Sequence, residues 1–81
     1  MRVSFTERFR RSYRDATNPV RQAFDKQLAH LLRDLRHPSL RAKKYDAARD
    51  TWQARVSAGW RFYFRIDNDT YILLDIIAHP K

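Results

Sequence analysis

The side chains able to do chemistry gather in the last third of the chain, in TWQARVSAGWRFYFRIDNDTYILLDIIAHPK, Thr51 to Lys81. Arg55, Arg61 and Arg65 each offer a planar, permanently charged fork that fits a phosphate through paired hydrogen bonds. Tyr63 stands between two of them, Asp75 interrupts an apolar run, and His79 follows near the end. Imidazole is the side chain best suited to exchanging a proton near neutral pH. Such a set can hold an anion, stabilise charge that grows on it and move a proton. The chain has no cysteine, and no cluster of carboxylates or histidines has the spacing of a metal site. Asp67 and Asp69 are explained by a turn. No cofactor and no metal are expected.

Alternation along strands is what must position these groups. Trp52, Ala54 and Val56 fall on one face of a strand, with Gln53 and Arg55 on the other. In the following strand Phe62, Phe64 and Ile66 oppose Arg61, Tyr63 and Arg65. Turning both apolar sets to one core sets the register. A three-residue loop, Ser57-Ala58-Gly59, satisfies it, with Gly59 in a left-handed conformation. Val56 then faces Trp60, Ala54 faces Phe62, Trp52 faces Phe64, and Arg55 lies across from Arg61. Like charges with Cβ atoms roughly 4.5–5.5 Å apart are unfavourable in a sheet. An anion bound between them explains the arrangement. Splaying of both forks towards acidic neighbours such as Asp75 is the alternative.

Asp67-Asn68-Asp69 turns the chain into a last strand, Tyr71 to Ala78, apolar on nearly both faces as a central strand would be. With Asp75 outward, Ile72, Leu74, Ile76 and Ala78 make the core face, and His79 joins Asp75, Arg61 and Arg55 outside. Matching the faces requires a three- or five-residue loop, and the shorter one places Asp75 opposite Arg61, where it would position that arginine. Four residues of strand, about 13 Å, separate Asp75 from His79, so the two cannot form a carboxylate–imidazole relay. A histidine near a chain end is ordinarily just exposed. Its place beyond the strand, on the arginine face, opens the catalytic reading.

The first fifty residues supply the support. Val3-Ser4-Phe5 alternates as a short strand that pairs on the far side of the last one. Thr6 is a good N-cap for a helix from Glu7 to about Ala16, with Phe9, Tyr13 and Ala16 at helical spacing. A solvated face explains Arg8, Arg10, Arg11 and Arg14 as well as RNA contact does. Asn18 as N-cap and Pro19 at the first position start a second helix. Its stripe is Val20, Phe24, Leu28, Leu31 and Leu35, widened by Leu32, and Pro38 ends it. His30 reads as a residue at the solvent edge. From His37 to Asp50 the pattern is irregular and basic, with Leu40 and Tyr45 as anchors to the core. Arg41, Lys43, Lys44 and Arg49 there belong either to a connector with exposed charge or to an arm that tracks a nucleic-acid backbone.

These 81 residues make one domain, 1–81, close to the size at which a single core just suffices. Lysine and arginine number 17 against 9 acidic residues, a net charge of +8. That balance points to nucleic acid, an anionic membrane surface or an acidic protein partner. No apolar run is long enough to span a bilayer, and the N-terminus lacks the apolar region of a signal peptide. A cytoplasmic protein is expected.

W-x-A-R-V-x-x-G-W-R-F-Y-F-R-I and the terminal I-I-A-H-P-K, after a short strand, a helical hairpin and a basic connector, resemble the RelE/ParE superfamily of bacterial type II toxins. The resemblance covers essentially the whole chain. It implies an α+β fold of order β-α-α-β-β-β, a small antiparallel-dominated sheet packed on an N-terminal helical hairpin. RelE-side members cut messenger RNA, commonly in the ribosomal decoding site, and ParE-side members inhibit DNA gyrase. Both are held inactive by a cognate antitoxin. Arg61 matches the arginine that the nucleases set against the scissile phosphate, Arg55 a frequent basic position, and His79 a histidine of several nuclease members. Trp52, Gln53 and Ala54 stand where one branch carries lysines, and no tyrosine follows His79.

The resemblance thus implies a toxin that is an endoribonuclease cleaving mRNA at the ribosome, with antitoxin and mRNA as partners and no membrane role. Arg61, Arg55 and His79 would be catalytic, in metal-independent attack by a ribose 2′-hydroxyl. Arg65, Tyr63, Lys43, Lys44 and Arg49 would bind substrate. The alternatives are a gyrase inhibitor without nuclease activity and a non-catalytic basic RNA-binding module.

Overall fold

Two helices cover one face of a five-stranded sheet in the computed structural model, which describes residues 1–79. Pro80 and Lys81, the end of the terminal motif, lie outside the described residues. In chain order the elements are β1 (Arg2–Phe5), α1 (Glu7–Asp15), α2 (Asn18–Arg33), a 3-10 turn (Pro38–Leu40), β2 (Lys43–Asp46), β3 (Thr51–Ser57), β4 (Trp60–Asp67) and β5 (Thr70–Ala78). The sheet order is β1-β5-β4-β3-β2. β1 runs parallel to β5, and every other pair is antiparallel. This is the α+β architecture expected, with one addition. The stretch read as an irregular connector contains the edge strand β2.

Local chemistry explains the helix boundaries. The Thr6 hydroxyl accepts the Phe9 N–H at 3.1 Å and donates to the Leu74 carbonyl at 3.1 Å. One side chain thereby caps α1 and ties it to β5. α2 begins one residue earlier than expected, with Thr17 extended at the cap and Pro19 in the first turn. It stops at Arg33, ahead of the expected end at Pro38, where Asp34 turns extended and its carboxylate takes the Arg36 N–H at 2.9 Å. The chain then tightens into the 3-10 turn.

Phe24 sits at the centre of the core, 5.0 Å from the Phe9 ring and edge-on to Phe62 at 5.2 Å. Phe64, Leu31, Leu40, Leu73 and Ile76 are fully buried around it. The buried stripe of α2 is Val20, Phe24, Gln27 and Leu31. Leu28 is half-buried and Leu32 exposed, so the stripe lies one position away from the one the leucines suggest. Of the two expected anchors in the basic stretch, Leu40 is buried and Tyr45 is not.

Between β3 and β4 the expected pairs hold: Trp52 with Phe64, Ala54 with Phe62 and Arg55 with Arg61. The turn differs. A bulge after Arg55 sets Ser57, not Val56, opposite Trp60. The bulge absorbs the extra residue and adds twist, so the chain turns over Ala58 and Gly59 with neither in the left-handed region. Between β4 and β5 the turn is Asn68-Asp69, with Asn68 at φ 55°. A second bulge, at Leu74, shifts the phase of β5 midway. The core face is Tyr71 and Leu73 before it and Ile76 after it, while Ile72 and Leu74 are only half-buried. Asp75 consequently pairs with Tyr63 rather than Arg61.

Candidate active site

The helix-free face of the sheet carries two rows of paired residues. Lys43, Gln53, Tyr63 and Asp75 run across β2, β3, β4 and β5, and Arg55, Arg61 and Ile77 form the next row. Residues directly opposite in a ladder share a face, so each row presents its side chains together. Arg41, Lys43, Gln53, Arg55, Arg61 and His79 line one cavity of about 250 Å³. All three residues expected to be catalytic are in it, with Lys43 beside them.

Each is held by a different part of the fold. Arg61 Nη1 donates to the carbonyls of Ser57 at 2.8 Å and Trp60 at 2.9 Å, which folds the side chain over the β3–β4 turn. The His79 N–H donates to the Gly59 carbonyl of that turn at 2.7 Å. One turn thus anchors both the arginine and the histidine backbone. Arg55 is held through its main chain by Gln27, which is buried on α2. Gln27 Nε2 donates to the Arg55 carbonyl at 2.8 Å and to the Ser39 carbonyl at 3.0 Å, and Gln27 Oε1 accepts from the Ser39 hydroxyl at 3.0 Å. α2, the 3-10 turn and β3 meet at that one amide. Arg41 follows the 3-10 turn in the left-handed region, φ 47°, an uncommon conformation for a residue with a side chain.

Among the described residues no carboxylate lies within ion-pair distance of Arg41, Lys43, Arg55, Arg61 or Arg65. The ion pairs lie elsewhere: Arg2–Asp69, Arg11–Glu7, Lys44–Asp50 and Arg49–Asp46. Splaying of the forks onto Asp75 is therefore not what relieves the facing arginines. Asp75 Oδ1 accepts from the Ser12 hydroxyl at 2.6 Å and from the Ile76 N–H at 2.8 Å. The expected role of Asp75 as a positioner of Arg61 is overturned: the two-residue turn and the Leu74 bulge each shift the register by one, so Asp75 pairs with Tyr63, two residues along β4. Four cations converging without a counter-charge make a strongly positive pocket. Its chemistry is that of an anion site with an imidazole at its rim.

The expected substrate-binding residues divide. Lys43 belongs to the arginine cavity. Tyr63, Arg65 and Arg49 line a neighbouring open concavity of about 780 Å³. Burial, and next the adjacent Tyr45, hold the Tyr63 phenol above its usual range, with Arg61 pulling the other way. It is a neutral hydrogen-bond donor at physiological pH. Lys44 is not brought to this face. It pairs with Trp52, lies 5.1 Å over that ring and is bonded to Asp50. Alternation along β2 sends it to the side opposite Lys43. Reading the sequence places Arg41 only within the basic connector and Gln53 only by its face, and misses Gln27. For Gln27 a signal existed, since 20, 24, 27 and 31 is a regular helical stripe. Among the described residues no three histidines, aspartates or glutamates gather as metal ligands, and no helix is long and apolar enough to cross a membrane.

No protein-family model matches the sequence, and neither does any curated protein. Solved structures do match over nearly the full length. A YoeB/ParE toxin from Agrobacterium tumefaciens superposes with TM-score 0.82 at 13% identity, over 99% of this chain and 100% of that one. The archaeal RelE–RelB complex from Pyrococcus horikoshii gives 0.80 at 12% identity, over 99% and 96%. The isolated RelE toxin of E. coli gives 0.74 at 17% identity, over 99% and 85%. At these identities the likeness is one of fold: the chain has the fold of the RelE-like toxins.

Proposed function

We propose that this chain is the toxin of a type II toxin–antitoxin pair and acts as an endoribonuclease on messenger RNA, with the ribosome presenting the substrate. The observation that carries this reading is the pairing of Arg55 with Arg61 in a cavity shared with Arg41, Lys43 and His79, without a carboxylate among the described residues. A packing argument gives no reason to face two arginines across a ladder. A scissile phosphate between them gives one.

In the proposed reaction the ribose 2′-oxygen attacks the adjacent phosphorus and the bond to the 5′-oxygen breaks. The products are a 2′,3′-cyclic phosphate and a 5′-hydroxyl. Arg61 and Arg55 stabilise the charge that grows on the non-bridging oxygens, from positions the fold sets in advance. His79 exchanges a proton with the attacking or the leaving oxygen. Antitoxin as partner is supported by the fold neighbours, several of which are toxin–antitoxin complexes.

Brief induction in cells followed by mapping of transcript ends tests the reading. Cuts within translated messages, abolished by Arg61→Ala or His79→Ala, are the expected result. DNA-damage signals without cuts would instead assign a gyrase inhibitor, a reading favoured by the double YoeB/ParE description of the Agrobacterium neighbour. RNA binding with neither outcome would assign a non-catalytic module.

A further inference from the structure

Two aromatic side chains on the helix-free face take no part in the chemistry above. Tyr45 sits on the edge strand β2 with 61% of its surface exposed, where so large a ring adds little to folding. It meets Tyr63 edge-on, with centroids 5.0 Å apart and planes at 67°. The two rings line the open concavity of about 780 Å³ together with Arg8, Arg65, Asp75 and Ile77, and with Asp46 and Asp50, whose carboxylates are already paired with Arg49 and Lys44. Ile77 contributes an apolar floor that is 42% exposed. Arg8 and Arg65 have no carboxylate partner among the described residues. Asp75 uses Oδ1 for Ser12 and Ile76, and its Oδ2 takes no hydrogen bond from them.

A flat π-face, an apolar floor, guanidinium groups and one carboxylate oxygen are what a single unstacked nucleobase requires. Its ring stacks on an aromatic side chain, its flanking phosphates meet arginine, and its exocyclic amino group needs an acceptor. Position agrees. Tyr63 and Arg61 are two residues apart on β4, about 7 Å along the strand, the scale of one step between nucleotides in an extended single strand.

We propose that the Tyr45–Tyr63 concavity is a nucleobase subsite, holding a base next to the scissile phosphate by stacking on Tyr45 and selecting an amino-bearing base through Asp75. This rests on the RNA-cleavage reading and adds to it the part of the substrate that is recognised. It makes the protein a reader of one unpaired nucleotide rather than of backbone alone.

The test is equilibrium binding of the purified protein to short single-stranded RNAs, made uncleavable by 2′-deoxy substitution at the scissile nucleotide. One parallel set carries a single abasic site at each position in turn. One abasic position weakens wild-type binding about tenfold, the scale of losing one stacked base. Tyr45→Ala weakens binding to intact RNA by a similar factor and leaves binding to that abasic RNA unchanged, whereas Tyr45→Trp retains both. Arg61→Ala weakens both RNAs alike. Asp75→Asn narrows the preference for cytosine or adenine over uracil at the sensitive position. Wild-type affinity of Tyr45→Ala for intact RNA overturns the subsite. So does a loss that is equal on the abasic RNA. If Tyr45→Ala cuts RNA normally but no longer binds antitoxin, the concavity belongs to a protein partner and the subsite is likewise overturned. Only failure of the wild type to bind or cut RNA removes the underlying function as well.

Discussion

Arg61 spends Nη1 on the carbonyls of Ser57 and Trp60, and Nε and Nη2 of the same fork make no hydrogen bond among the described residues. A guanidinium can be pinned by one nitrogen and still present two others, which an ammonium cannot do. Arg61→Lys is therefore expected to lose cleavage almost as fully as Arg61→Ala, on the order of 10²-fold or more in turnover. Arg61→Ala should also lower the melting temperature, since the turn loses hydrogen bonds worth roughly 1 kcal/mol each. Single-turnover cleavage run beside thermal melts separates the two effects. His79→Ala should cost about 10²–10⁴-fold in turnover with little change in melting, because its backbone bond to Gly59 survives the substitution. If both alanine variants stay toxic and cut RNA normally, the site is elsewhere. At Gly59 the structure reverses an expectation from the sequence. Its φ is not positive, and an added Cβ would meet nothing within 4 Å. Gly59→Ala should shift stability by no more than about 0.5 kcal/mol, where a left-handed glycine would have cost more. A denaturant titration decides it.

At the scale of elements, the amide of Gln27 joins α2 to the 3-10 turn and to β3. Gln27→Ala leaves those partners unpaired in a part-buried site, and about 1–3 kcal/mol of stability should go with it. Cleavage should fall further than the unfolded fraction accounts for, because the strand carrying Arg55 is released. Nearby, the His30 and His37 rings stack at 3.8 Å. Desolvation, then His37, Lys26 and Arg33, lower the His30 pKa from 6.5. Folding thus favours the neutral ring, and the unfolded chain takes up the proton first as pH falls. The stability contributed is present above the ordinary histidine value and is lost on acidification below it. His30→Gln should flatten the fall in denaturation midpoint between neutral and mildly acidic pH, and histidine NMR titration checks the direction. The faces of β3 and β4 were legible in the sequence because aromatic and arginine residues alternate without a break. The phase of β5 was not. A run apolar on both faces carries no mark of where a bulge falls, and the turn is one residue shorter than expected, so Asp75 was set two residues from its true partner. β2 was hidden for the opposite reason, since Lys43-Lys44-Tyr45-Asp46 has no apolar alternation at all.

Across the whole molecule, cations divide into paired and unpaired. Lys44 is bonded to Asp50 and Arg49 is paired with Asp46, while Arg41, Lys43, Arg55, Arg61 and Arg65 remain without carboxylate partners among the described residues. RNA affinity should therefore fall steeply with salt, with a log–log slope of about −0.7 for each phosphate engaged. Arg55→Ala and Lys43→Ala should each reduce that slope by about 0.7, and Lys44→Ala should leave it unchanged. Anisotropy titrations at several salt concentrations measure it. The pairing of β1 with β5 has a consequence of another kind, in time. β5 is the inner strand on which both β1 and β4 depend, and Arg2 pairs with Thr70. At 5–20 residues per second, synthesis of the chain between those partners takes roughly 3 to 14 s. Until then β1 has nothing to pair with, and Phe5 and Phe9 lack the strand that covers them. The arginine face and the segment that places His79 cannot exist together on a partly made chain. A ribosome translating this message is not exposed to the finished surface before the last strand has left it.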